Sequence, residues 1–331
     1  MPHIEIMQNC LAGKNLKQIP VSFWRHFPLC DDDTDQFVKA TLKWQYDYDF
    51  DFVKVMPPSS YCVKDWGSVD RYAGNSLGIR EYIHFPINTP DNWLKLKVLD
   101  PDSGHLKKQM DALKVIIHEF RNKVPVVCSV FNPLSQMMNL CQPSILAGHF
   151  TKYPQAAAEG LKTITQSTIR LIEKMIEIGL DGIYFIVKEP DFLSEIQAGC
   201  KIISWSGYDL LCLEAAKKLW MNVLHLHTLK VEPTKFENYP AQIISVHGLH
   251  RADLLQAIQS ECSGKLLCGG LQRFITMARG TAADVVNEAE KFANSLKTQN
   301  YILGAECGLP LDTPEINIRT AINFARERQM L

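Results

Sequence analysis

Residues 222–229 read NVLHLHTL, an apolar run with polar residues at its edges. Its length and composition predict a buried strand. Strand geometry then puts His225 and His227, two positions apart, on one face. Runs of this kind recur along the chain: VSFWR (21–25), FVKVM (52–56), VPVVCSV (124–130), DGIYFIV (181–187), NVLHL (222–226), QIISV (242–246), KLLCG (265–269) and YILGA (301–305). Between them lie helical patterns over 33–48, 103–121, 155–179, 206–220, 251–260, 281–298 and 313–328, with LKVEPTKFENYP the weakest connection. Alternating strand and helix predicts parallel pairing with right-handed crossovers. Eight such units predict an α/β fold closed as a (β/α)8 TIM barrel, a single domain over 1–331. The runs are apolar on both parities, as strands covered on both faces should be.

An open doubly wound sheet is the competing architecture, but neither GxGxxG nor GxxxxGK[ST] occurs. Residues 57–101 form a long insertion after the second run, rich in Pro, Gly, Asn and aromatics, and are expected to act as a lid or binding element.

The bulk numbers exclude several classes. Lys plus Arg is 35 against 36 Asp plus Glu, so no net field favours nucleic acid or an anionic membrane. No stretch approaches the roughly 18–20 apolar residues that span a bilayer. MPHIEIMQNC lacks the basic and apolar regions of a signal peptide. Ten cysteines are scattered without a CxxC pair, several inside strand-like runs, which predicts reduced thiols and a cytoplasmic location. The oligomeric state is not written in the sequence, and a homodimer stays open.

Barrel active sites lie at the C-terminal ends of the strands. Those ends carry Arg25, His26, Lys54, Asn132, Lys188, Glu189, His225, His227, His247, Arg273, Glu306 and Cys307, whereas the opposite ends offer Asp181, Asn222 and Gln242. One histidine on a strand is ordinarily a core residue, but two on one face raise the odds of a metal or anion site. Cys307 alone would be a small buried hydrophobe. It sits on the turn GAECGLP, and His225, His227 and Cys307 together would make three ligands with one open position, the pattern of a catalytic zinc. Lys54 is mid-strand, a costly place for an amine unless it reaches an anion or the mouth. Arg25 offers a bidentate fork to a substrate carboxylate or phosphate, or else pairs with the acids of DDDTD (31–35), a run that itself reads as a solvated helix start. Arg273 follows GGLQ where barrels often bind anions, and Glu189 and His247 are candidates for proton handling.

VSFWRHFP, DFVKVMPPSSYCVKDWG, CGGLQR and YILGAECGLPLDTPEINIRTAI together resemble the uroporphyrinogen decarboxylase superfamily over nearly the whole chain. The resemblance implies an (α/β)8 barrel and either of two activities, haem-pathway decarboxylation or zinc-dependent methyl transfer between a corrinoid protein and a thiol. The decarboxylase pattern is poorly kept. Of the two arginines in its first loop, Arg25 alone remains; no acid stands at Pro57 or Pro58; FNPLSQMMN has no tyrosine; and Cys307 replaces a histidine. The methyltransferase branch has His-x-Cys on strand five and a Cys after strand eight, matched here by His225, His227 and Cys307 with His in the middle place. The amidohydrolase kind of His-x-His sits on strand one and does not fit.

The resemblance therefore implies Zn2+, a corrinoid as methyl donor or carrier, a thiol or tetrapyrrole-like substrate and a corrinoid protein as partner. Arg25, Lys54 and Arg273 would hold an acidic substrate. A decarboxylase without metal, a non-catalytic tetrapyrrole- or corrinoid-binding barrel, and a zinc hydrolase are the alternatives.

Overall fold

The computed structural model describes residues 1–188, 205–228, 231–297 and 300–328. Nine strands are present among the described residues: β1 Val53–Val55, β2 Val69–Tyr72, β3 Arg80–His84, β4 Val126–Phe131, β5 Gly182–Val187, β6 Val223–Leu226, β7 Ile243–Val246, β8 Leu266–Leu271 and β9 Ile302–Ala305. Seven form one parallel sheet in the order β1-β4-β5-β6-β7-β8-β9. Helices Thr34–Tyr48, Gly104–Phe120, Pro154–Glu177, Trp205–Ala215, Ala252–Glu261, Ala282–Ser295 and Glu315–Glu327 occupy the expected connections. The described part of the weak fifth connection holds a short 3-10 turn, Pro233–Phe236.

The first expected strand, 21–25, does not form as a regular strand, so the sheet is not closed by strand pairing. Val21 makes a single parallel bridge to Leu303. Leu303 N–H donates to Pro20 O at 2.8 Å and Ser22 N–H to Leu303 O at 3.1 Å on the β9 side. On the other side, Val21 N–H is taken by the Asp51 carboxylate at 2.7 Å instead of a ladder carbonyl. Asp51 N–H returns a bond to Val21 O at 2.9 Å, and Ser22 Oγ donates to Phe52 O at 2.8 Å. Pro20 has no N–H to extend the ladder. The segment thus lies between the two edges of a curled sheet, bonded to each.

Side-chain parity makes the curl visible. Val53, Val55, Phe185, Val187, Leu224, Leu226, Ile244 and Val246 belong to the apolar layer under the helices. The alternate positions Phe52, Val127, Tyr184, Ile186, Val223, Ile243, Cys268 and Ile302 form a separate interior cluster with Trp24 and Met7. A flat sheet covered on one face would have only one such cluster. Met7 comes from an N-terminal helix, His3–Leu11, that the strand–helix alternation does not predict because it precedes the first run. The stretch 133–154 holds two further unexpected helices, Pro133–Leu140 and Pro143–Lys152, each begun by a proline, as is the long helix that follows them.

The insertion is fastened rather than free. Its antiparallel hairpin β2–β3 presents Arg80, whose buried guanidinium pairs with Asp31 and, at 2.6 Å, with Asp32. Lys64 reaches Asp32 at 2.9 Å and Asp70 at 3.2 Å. This corrects the reading of DDDTD as merely solvated. Asp33 does cap the helix Thr34–Tyr48 by accepting from Gln36 N–H, but Asp31 is buried and holds the hairpin. Leu311 N–H donates to Ser76 O at 2.6 Å, which seats the hairpin's tip on the loop after β9. The cysteines among the described residues form no disulfide, and no described helix is long and apolar enough to cross a membrane.

Candidate metal centre

Three neighbouring segments carry the chemistry. His225 lies in β6 on the interior parity of Val223, and His227 continues that parity one step past the strand's end. On β7 the same parity runs Ile243, Ser245, His247, and His225 is in register with Ser245. Cys307 follows β9 two residues beyond Ala305. The ring nitrogens of His225, His227 and His247 and the sulfur of Cys307 all lie within 4.8 Å of one another. The His227 and His247 ring centroids are 4.3 Å apart, and each is 5.6 Å from that of His225.

His225, His247 and Cys307 are buried and His227 is half-buried. His225 Nδ1 is met by Ser245 Oγ at 3.2 Å and Tyr184 Oη at 3.3 Å. With Nδ1 held by hydroxyls, Nε2 is left as the coordinating nitrogen. His225 Nε2 and His247 Nε2 are buried polar atoms with no hydrogen-bond partner, a costly state that a bound cation would relieve. Burial pushes His225 down to about 3, against the pull of the nearby Cys307 sulfur, so its imidazole is neutral at physiological pH. For Cys307 burial opposes ionisation, but the three imidazoles around its sulfur outweigh it and hold the thiol well below its usual range. Neutral imidazole and thiolate are the forms that ligate metal. Soft sulfur with three imidazoles suits zinc.

The turn after β7 is braced from the Cys307 side: Glu306 accepts from Gly248 N–H at 3.2 Å, and His250 Nδ1 lies 3.7 Å from the same oxygen.

The profile of the uroporphyrinogen decarboxylase (URO-D) family matches residues 25–328. The chain belongs to the uroporphyrinogen decarboxylase family. Among solved structures, a methyltransferase from Methanosarcina mazei superposes with a TM-score of 0.82 over 98% of each chain, at 16% identity. A B12-independent methionine synthase from Shewanella sp. W3-18-1, in complex with selenomethionine, matches with a TM-score of 0.56 at 14% identity, over 93% of this chain and 91% of the other. A putative vitamin-B12 independent methionine synthase from Listeria monocytogenes gives 0.55 at 11% identity, over 93% and 96%. At these identities the likeness is one of fold. No curated protein matches the sequence.

Within this family member the remaining expected residues are placed as follows. Lys54 is buried on the interior parity of β1, its amine 3.6 Å from the centroid of the Tyr184 ring and 4.6 Å from that of Trp24. Arg25 pairs with none of Asp31, Asp32 or Asp33; its guanidinium packs over Trp44 at 4.6 Å and donates to Leu311 O at 3.2 Å. Arg273 begins a π-helical turn, Arg273–Ala278, and packs over Phe274. Arg25 Nε, Arg273 Nε and His26 Nδ1 are buried donors or acceptors without a partner. Asn132 caps the helix Pro133–Leu140 and donates to Asp209, a structural role. Lys188 is exposed, and Glu189 lies outside the described residues.

His247, expected as a proton handler, sits among the candidate ligands. Tyr184, Ser245 and Trp24 were missed. The usable signal was parity: each is a polar or amphipathic side chain on the interior face of an otherwise apolar run.

Proposed function

We propose that the protein transfers a methyl group to a thiol at a zinc ion held by His225, His227 and Cys307, with His247 as a fourth ligand whose place the substrate sulfur takes. The observation that carries this is the cluster of four side chains, each with a donor atom within 4.8 Å of the others, two of which, His225 and His247, carry a buried Nε2 with no hydrogen-bond partner. The methyltransferase likeness in fold supports it. We further read Pro20–Ser22 as the eighth stave of a (β/α)8 barrel whose mouth holds this site.

Bound zinc would lower the pKa of a substrate thiol and hold its sulfur for attack on the methyl group. Three neutral imidazoles and one thiolate leave the ion with a net positive charge. That favours ionisation of a bound thiol more than a two-thiolate site would, at some cost in nucleophilicity. Arg25 and Arg273 supply cationic surface for an acidic substrate, and a corrinoid protein is the methyl donor in this reading.

The test is metal content by elemental analysis of protein purified under reducing conditions, beside His225→Ala and Cys307→Ser. Near-stoichiometric zinc in the wild type, lost from both variants, is expected. Absence of zinc from the wild type, with no tight binding on titration, would remove the reading.

A further inference from the structure

The candidate metal centre is shut in: His225, His247 and Cys307 are buried, and His227 is half-buried. A substrate that is to reach it needs a part of the mouth that moves. The insertion's hairpin supplies one, because its base and its tip are held very differently.

At the base, Arg80 pairs with Asp31 and Asp32, and Lys64 reaches Asp70 at 3.2 Å. The tip is a compact turn closed on itself by Asn75. The Asn75 side-chain amide donates to Ile79 O at 2.6 Å, and its Oδ1 accepts from Ile79 N–H at 3.1 Å. Its backbone carbonyl accepts from Gly78 N–H at 3.1 Å and from Tyr72 Oη at 2.9 Å. Gly74, with φ +83°, joins this turn to β2, and an added Cβ there would meet nothing within 4 Å. Among the described residues one backbone hydrogen bond ties residues 74–78 to the barrel, from Leu311 N–H to Ser76 O at 2.6 Å. Beyond it there is packing: a Cβ at Gly78 would touch His26, Pro28 and Leu311.

Both contact points lie at the mouth. Leu311 stands four residues past Cys307, and its carbonyl accepts from Arg25 at 3.2 Å. His26 is buried and follows Arg25 at the end of the segment that bridges the two sheet edges.

We propose that the tip Gly74–Gly78 is a gate over the metal centre, which swings about Gly74 when the Ser76–Leu311 hydrogen bond opens, admits substrate, and closes again to keep bulk water out. This rests on the cluster being the working centre. Opening the tip exchanges one backbone hydrogen bond for bonds to water, a small net cost. Lifting the whole hairpin would break the buried Arg80–Asp31 pair, a large one. Closure matters chemically, since a metal that activates a thiol also activates water.

Cys307 reports the gate. Chelator-treated protein is alkylated with iodoacetamide, and the Cys307 peptide is followed by mass spectrometry beside that of Cys128, a buried thiol in β4. Leu311→Pro removes the N–H of the latch. It is expected to speed labelling of Cys307 about 5-fold or more, with Cys128 as slow as in the wild type. The wild type gives a second reading free of any substitution: exchange of the Leu311 amide and labelling of Cys307 should both change little in low urea, as a small local opening does. Equal Cys307 labelling in variant and wild type overturns the gate. A rise shared by Cys128 overturns it as well, because the whole fold has then loosened. So does wild-type labelling that climbs steeply with urea in step with Cys128, since access then needs global unfolding. The labelling is read without metal, so the gate fails or stands on it, while zinc content decides the metal reading separately.

Discussion

Gly248 N–H donates to Glu306 Oε2 across 3.2 Å, tying the turn that carries His247 to the residue before Cys307. Two candidate ligands from β7 and β9 are thus held to each other by one carboxylate that is not itself in the cluster. Groups that orient metal ligands in this way are typically worth 10–100-fold in affinity. Glu306→Ala is therefore expected to weaken zinc binding by about 10-fold or more while the far-ultraviolet spectrum is unchanged. Competition against a chromogenic chelator measures it. Equal affinity in variant and wild type would show that the turn holds its shape without the carboxylate.

Gly78 sits at the tip of the insertion hairpin with φ +69°, and a Cβ there would lie 2.9 Å from His26 Cβ and 3.2 Å from a Leu311 methyl. Both the left-handed backbone and the contact require glycine. Gly78→Ala should cost about 1–3 kcal/mol, and the strain should lift the tip from His26. Denaturant titration gives the first quantity and histidine NMR shifts report the second. A neutral substitution would mean that the tip rearranges freely.

Much of this architecture is written in local sequence. Strand runs, intervening helices and the convergence of His225, His227 and Cys307 follow from periodicity and from which end of a strand a residue occupies. His247 was legible as a mouth residue, but not as a neighbour of His227, because that depends on the β6–β7 register, a non-local quantity. Tyr184 was hidden for another reason: tyrosine is common in strands, and its contact with His225 is visible only once the strands are side by side. VSFWR has strand composition, yet Pro20 and the capture of Val21 N–H by Asp51 prevent the ladder, and the latter joins residues 30 positions apart. The acidic run 31–35 misled because a helix start and a salt-bridge anchor share one composition. Only the folded hairpin separates Asp31 from Asp33.

That anchor has a measurable worth. Asp31 is buried, and Arg80 is its cationic partner, with its own side chain only 6% exposed. Removing one member of a buried pair leaves an uncompensated charge, at a cost of about 3–5 kcal/mol. Arg80→Met is expected to destabilise the protein on that scale and to open the insertion first. Hydrogen exchange should then rise over residues 57–101 more than over β5 and β6. Uniform acceleration across the chain would contradict the anchor role, since it would mean that the hairpin and the sheet unfold as one unit.

At the opposite end of the sheet, Asp51 gathers three distant segments. Its fully buried carboxylate accepts from Val21 N–H, from Arg326 at 2.7 Å and from His3 Nδ1 at 2.9 Å, while His3 Nε2 meets Asp49 at 2.9 Å. His3 therefore clips the N-terminal helix to the residues just before β1. Its hydrogen bond to Asp51 raises its pKa above 6.5, more than burial lowers it, and the charges of Asp51 and Asp49 add to the rise. A raised folded-state pKa means that the native protein binds the proton more tightly than the unfolded chain does. The stabilisation is then complete below about pH 6.5 and is lost as pH climbs through the folded value. His3→Gln keeps a polar side chain but cannot carry the charge. The gap in denaturation midpoint between wild type and variant should be largest below about pH 6.5 and should close as pH rises through the raised folded-state value. A gap that stays constant with pH would mean that the clip works through shape alone, and one that widens would reverse the sign of the linkage.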